Sequence, residues 1–130
     1  MTLEKQKDVI KGVLSPVDSV TYAFLFGSAL TKLRKDSDVD ILVGGDLDFD
    51  TRMDLTARLA LALKRTVDLV PARQTRPEVV LKALSKGLKL FVRDSEALKH
   101  DYLKAFRAYD DTISLRRIKA AHLKRRFANG

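Results

Sequence analysis

Asp38 and Asp40 flank Val39 at the head of a short apolar run that closes at Gly44-Gly45. Along a strand, side chains two apart leave the same face, so this spacing aims both carboxylates one way. Such a pair can grip divalent cations that also touch phosphate oxygens, because Mg²⁺ takes a few carboxylates plus substrate phosphate rather than an all-protein cage. A third acid, Asp68, stands in the apolar run Thr66-Val67-Asp68-Leu69-Val70, ended by Pro71. On an adjacent strand it would complete a two-metal site, with the ions about 3.5–4 Å apart. One ion would lower the pKa of an attacking hydroxyl and the other would neutralise departing phosphate. Asp38 and Asp40 would bridge the ions, while Asp68 would hold the ion on the nucleophile's side and accept its proton. The plain alternatives are a solvated loop pair or a helix cap for Asp38 and Asp40 and an edge-strand surface acid for Asp68.

Ahead of these acids lies Phe26-Gly27-Ser28. Gly27 lets backbone approach phosphate with no Cβ in the way, or it serves only as a turn former. Ser28 offers a hydroxyl and opens a short helix whose first N–H groups favour anions. Lys32, Arg34 and Lys35 follow before the Asp pair and would add positive charge near the leaving group.

The elements that must position these groups are read from periodicity. Leu3, Ile10, Val13 and Leu14 share a helical face that stops at Ser15-Pro16. Val20 to Phe26 is β-branched and aromatic, hence a buried strand entering the Gly27 turn, and Val39 to Val43 is a second strand. Thr51 and Asp54 resemble a capping box before a helix carrying Leu55, Leu59, Ala60 and Leu63. Thr66 to Val70 is a third strand. Thr75 and Glu78, with Pro77 in the first turn, form a second capping box, and Gly87 fits just past that helix's end. Lys89 to Val92 adds a fourth strand. Leu98, Tyr102, Ala105, Phe106, Tyr109 and Ile113 follow the spacing of a long amphipathic helix, whose aromatics read as packing stripe rather than stacking platform.

With 130 residues, 45% hydrophobic and 32% charged, the chain suits one folded domain and excludes disorder or a fibrous repeat. The absence of cysteine removes disulfide, zinc-ribbon and thiol redox chemistry. No run of about 18 apolar residues and no signal-like segment occurs, so a cytoplasmic location without membrane contact is expected. The net charge is +8, and residues 96–130 hold 9 basic against 4 acidic residues. From Thr112 onward there are six Lys or Arg and no acid, a local field suited to a polyanion or an acidic protein face, or simply a solvated helix end. His100 and His122 match no metal spacing and read as surface residues.

The run Phe26-Gly27-Ser28, then Asp38-Val39-Asp40, then Asp68 resembles the nucleotidyltransferase motif of the DNA polymerase beta superfamily. At this length the chain is most similar to the minimal nucleotidyltransferases, the MntA-like antitoxins of HEPN/MNT toxin–antitoxin pairs. The resemblance implies an α/β (α+β) fold with a mixed sheet of about four strands flanked by helices. It implies a nucleotidyltransferase domain over 1–112 and a basic helical extension over 113–130 that binds a partner. The implied activity is Mg²⁺-dependent transfer of AMP from ATP to a tyrosine of a HEPN RNase toxin, which it silences within a hetero-oligomer. Asp38, Asp40 and Asp68 would be catalytic and hold two Mg²⁺ ions, and Gly27, Ser28, Lys32 and Arg34 would bind ATP. Many relatives continue Gly-Ser-Arg-Ala-Arg-Gly, whereas here Ser28 is followed by Ala29-Leu30-Thr31-Lys32. Two other functions compete: a non-catalytic antitoxin that occludes its toxin with the basic tail, and nucleotidyl transfer to a small molecule or an RNA end. Direct RNA binding along the tail belongs to the last of these.

Overall fold

The computed structural model describes residues 1–27 and 38–128; along the last helix, side chains are described to 111 and again at 117. Helix α1 spans Leu3–Leu14, and the Thr2 hydroxyl accepts the Lys5 N–H at 3.2 Å to cap it. Strand β1 is Tyr22–Phe26, β2 is Val39–Gly44 and helix α2 is Phe49–Leu63. Strand β3 is Val67–Pro71, followed by a 3₁₀ turn at Ala72–Gln74 and helix α3 at Pro77–Lys86. Strand β4, Leu88–Val92, leads into α4, Ser95–Ala128.

The four strands form one mixed sheet in the order β3-β2-β1-β4, as expected for this fold class. β1 pairs antiparallel with both β2 and β4, and β2 pairs parallel with β3. Alternation sorts the strand residues onto two faces. Ala23, Leu25, Val39, Ile41, Val43 and Leu69 pack against α1 and α2. Tyr22, Phe24 and Leu42 pack on the other face, beneath Val80 and Ala83 of α3 and Ala105 of α4. The core is therefore two apolar layers with the sheet between them, and β2 and β1, paired on both sides, are its stiffest members.

Two caps differ from the sequence expectation. α2 starts before Thr51: Asp48 is the N-cap, its carboxylate accepting the Thr51 N–H at 2.7 Å, and the Thr51 side chain first and that N–H second hold the Asp48 carboxyl below the usual range. A carboxylate is as good a cap as a threonine hydroxyl, and here it lies three residues earlier. α3 begins at Pro77 as expected, but its N-cap Arg76 makes no side-chain cap bond, so the Thr75–Glu78 box does not form. Gly87 does end α3, with its N–H donating to Ala83 at 2.9 Å.

Helix α4 is 34 residues, about 51 Å at 1.5 Å per residue. It crosses the second face as far as Ala105 and runs on past the sheet. The boundary expected between 112 and 113 falls inside this one helix. Its aromatic stripe is less buried than its spacing suggested. Tyr102, Phe106 and Tyr109 stay 38%, 51% and 38% exposed, while Leu98 and Ala105 of the expected stripe do pack inward, joined by the buried Asp101 that the stripe left out. His100 is exposed, as expected. Among the described residues no helix is long and apolar enough to cross a membrane.

Candidate active site at the mouth of the sheet

At one end of the second face the α3–α4 layer leaves the sheet uncovered, and the acids gather there. In the parallel ladder Asp40 stands directly beside Asp68, so both side chains leave the same face of the sheet. Across the other ladder Asp40 faces Phe26, the residue before Gly27. Asp38 precedes β2 and is exposed, Asp40 is half-buried and Asp68 is exposed. An acid tolerated in the apolar strand β3 thus has its explanation: Asp68 points off the core.

The close approach that the structure shows at Gly27 is to a carboxylate. The Gly27 φ is +85°, a backbone region that costs any L side chain, and an added Cβ would collide with Asp40 Oδ2 and stand 3.3 Å from Asp40 Cγ. The turn therefore presses its backbone onto one carboxylate. Asp40 is held above the usual carboxylate range, first by burial, then by the charge of Asp68, then by that of Asp38. The charges of Asp68 and Asp38 thus both reach Asp40 and make it harder to ionise.

Ser28, the short helix it was expected to open, and Lys32, Arg34 and Lys35 lie outside the described residues. Among the described residues no group of three or more His, Cys, Asp or Glu side chains is placed to hold a metal ion. Asp40 stands beside Asp68 in the ladder with Asp38 two residues before it, and Mg²⁺ needs only one or two carboxylates before phosphate oxygens complete its shell. The donor set offers such an ion hard oxygen ligands, with the half-buried Asp40 carboxylate beside the exposed Asp68.

Several residues around this site were not singled out from sequence. Arg52 of α2 donates from Nε to the Leu69 carbonyl at 2.9 Å, tying down the edge strand that carries Asp68. At the opposite end of the sheet the Tyr22 hydroxyl donates to Asp101 Oδ2 at 2.8 Å, with Asp101 only 6% exposed. Arg73 lies beside Asp101 and bonds Asp46 at 2.6 Å. The guanidinium of Arg93 donates to the carbonyls of Ser15, Val17 and Val20, fastening β4 to the loop before β1. One signal was available: Leu98, Asp101 and Ala105 are spaced i, i+3, i+7, so Asp101 is the lone acid on α4's buried face.

A family model described as Polymerase beta, Nucleotidyltransferase matches residues 8–96, which include every acid of the cluster. Comparison with curated proteins finds no significant match. Among solved structures, one similar chain comes from a toxin–antitoxin complex with AMP-PNP, at 25% identity and TM-score 0.73, covering 91% of this chain and 98% of that one. Another comes from the MntA–HepT toxin–antitoxin, at 22% identity and TM-score 0.71, covering 93% and 98%. A third comes from a tri-AMPylated Shewanella oneidensis HEPN toxin in complex with MNT antitoxin, at 22% identity and TM-score 0.73, covering 95% and 99%.

Proposed function

The chain belongs to the polymerase beta nucleotidyltransferase family, and from that premise we propose that it is the antitoxin of a HEPN/MNT pair, moving AMP from ATP onto a tyrosine of its toxin. The observation that carries this reading is Asp40 standing beside Asp68, two residues after Asp38, with the Gly27 turn set against Asp40. The similar chains come from complexes whose contents include AMP-PNP in one case and an AMPylated HEPN toxin in another, which supports the nucleotide and the acceptor.

In the proposed reaction the tyrosine oxygen bonds to the α-phosphorus of ATP, the α–β bridging P–O bond breaks, and pyrophosphate leaves. Asp38, Asp40 and Asp68 would hold two Mg²⁺ ions, which when bound neutralise triphosphate charge and lower the pKa of the attacking hydroxyl. Asp40, fixed on a strand paired at both edges, orients the other ligands. Asp68, exposed beside it, accepts the phenolic proton or passes it to solvent. Gly27 admits the phosphate chain close to the backbone, with Ser28, Lys32 and Arg34 proposed as its remaining contacts. The 113–130 segment is proposed as the toxin-binding extension within a hetero-oligomer.

Incubation with ATP labelled in its α-phosphate, Mg²⁺ and the HEPN partner tests this directly. Labelled toxin is expected with the unaltered chain and not with Asp38→Asn or Asp40→Asn. Neutralisation that survives both substitutions without label transfer would favour occlusion, a reading that the length and basic end of α4 also accommodate.

A further inference from the structure

We infer that two copies of this chain associate through the outer face of α2, antiparallel about a two-fold axis. Phe49, Met53 and Leu61 are 72%, 40% and 80% exposed, and exposed Ala57 stands between the last two at the same four-residue step. They form a single apolar ridge down the solvent side of the helix, opposite the buried Leu55, Leu59 and Leu63. Isolated exposed apolar side chains need no explanation, but a ridge along the full length of a helix does.

The ridge matches itself when reversed. Laid antiparallel on a second copy, Phe49 meets Leu61 of the other chain, and bulky Met53 meets small Ala57, which lets the backbones approach. Ridges of i, i+4 type pack with the helices crossing at about −50°. The flank also complements itself. In an antiparallel pair like flanks face each other, and on this one Asp50, Asp54 and Arg58 follow in order. One copy's Arg58 then lies level between Asp50 and Asp54 of the other, about 3 Å along the axis from each. Within one chain Arg58 already leans toward Asp54, at 3.9 Å and in solvent, so the pairing shifts an existing preference rather than breaking a strong bond. Since α2 covers the sheet face away from the acid cluster and from α4, both active sites stay open.

Two 15-residue helices make a small contact, so the association belongs to the weak class and is sought up to several hundred micromolar protein, by sedimentation equilibrium. The unaltered chain is expected to reach a dimer mass over that range. Phe49→Glu places an acid in the first turn and Leu61→Lys a base in the last, both of which the helix dipole favours, so the fold persists and is checked by circular dichroism. Each alone is expected to weaken dimerisation by about tenfold or more, while the double variant, whose new charges face one another across the axis, recovers part of that loss. AMP transfer per chain is unchanged in all three. A monomer at every concentration, a dimer indifferent to both single substitutions, or a ridge protected from solvent exchange only when toxin is bound would each overturn the inference. Failure of AMP transfer would leave these masses untouched, so the two readings fall separately.

Discussion

Gly27→Ala is the sharpest perturbation of the site. At φ +85° the left-handed backbone costs an alanine about 1–2 kcal/mol relative to glycine. The new Cβ also collides with Asp40 Oδ2, and to regain an ordinary carbon–oxygen contact of roughly 3.4 Å the carboxylate must move by about 1 Å. β2 is paired on both sides, so the side chain turns rather than the strand. For a domain of this size about 1–2 kcal/mol lowers the melting temperature by roughly 3–10 °C. A displacement of about 1 Å at a reacting centre costs on the order of 100-fold in rate. Melting curves and single-turnover AMP transfer read the two effects apart. Repeating the melting curves in an Asp40→Ala background isolates the collision: with the carboxylate gone, the second alanine should cost only the backbone part. Wild-type transfer by Gly27→Ala, or an equal stability loss in both backgrounds, would refute the claim that this turn is built against Asp40.

Other perturbations follow the same geometry. The folded chain holds the Asp40 proton to higher pH than the unfolded chain does, so its stabilising contribution is complete below the ordinary carboxylate range and lost as pH rises through the folded value. In EDTA, Asp40→Asn should therefore melt higher than the unaltered chain at pH 7, with the gap closing toward about pH 4; a lower melting point at pH 7 would contradict the repulsion. Mg²⁺ with a non-hydrolysable ATP analogue should raise the melting temperature of the unaltered chain and leave Asp40→Asn nearly unmoved, as differential scanning fluorimetry would show. Tyr22→Phe strands the buried Asp101 carboxylate and should cost about 1–3 kcal/mol in urea unfolding. In the unaltered chain Tyr22, pushed far up chiefly by burial and then by Asp101, should stay protonated in ultraviolet titration while the fold persists. Arg52→Ala should cost about 1 kcal/mol and raise the Mg²⁺ concentration for half-maximal transfer more than the KM for ATP, because only Asp68 rides on the strand it releases.

Much of this was readable in advance because strands and acids obey simple periods. Alternation placed Asp38 and Asp40 on one side, and the apolar neighbours of Asp68 marked it as an acid in a strand. What alternation alone lacked was register. Asp68 could join the others only if β3 paired parallel with β2 in the observed alignment, a fact carried by packing between α2 and the sheet and not by any local pattern. The caps at Thr51 and Thr75 went astray because a capping box is a two-residue match, and Asp48 competed for the first with equal chemistry. The aromatic stripe of α4 misled for a related reason. Its spacing was helical, but Asp101, bonded to Tyr22 beneath the helix, turns the Leu98 and Ala105 edge of the stripe inward and leaves its aromatic edge exposed.

That bond also bears on how the two ends of the sheet cooperate. β1 carries Tyr22 at one end and leads into Gly27 at the other, five residues along one rigid strand. Its first end is fixed to α4 through Asp101, and its last residue faces Asp40 across the ladder. A partner that pulled on α4 would load β1 along its length. There the β4 ladder shifts register between Ala23 and Phe24 but the β2 ladder holds every residue from Tyr22 to Phe26, so pairing with β2 is what insulates the carboxylate cluster from motion of the projecting helix. The edge strand β3 lacks that second strand and is held by the β2 ladder, by Arg52 and by the burial of Val67 and Leu69 under α2. Of the three acids on structured or near-structured backbone, Asp68 therefore has the freedom to adjust as substrate arrives, while Asp40 keeps the reference position. An enzyme arranged this way tolerates substitutions along α4 with little change in the chemical step, and shows its sensitivity in Arg52 and Gly27.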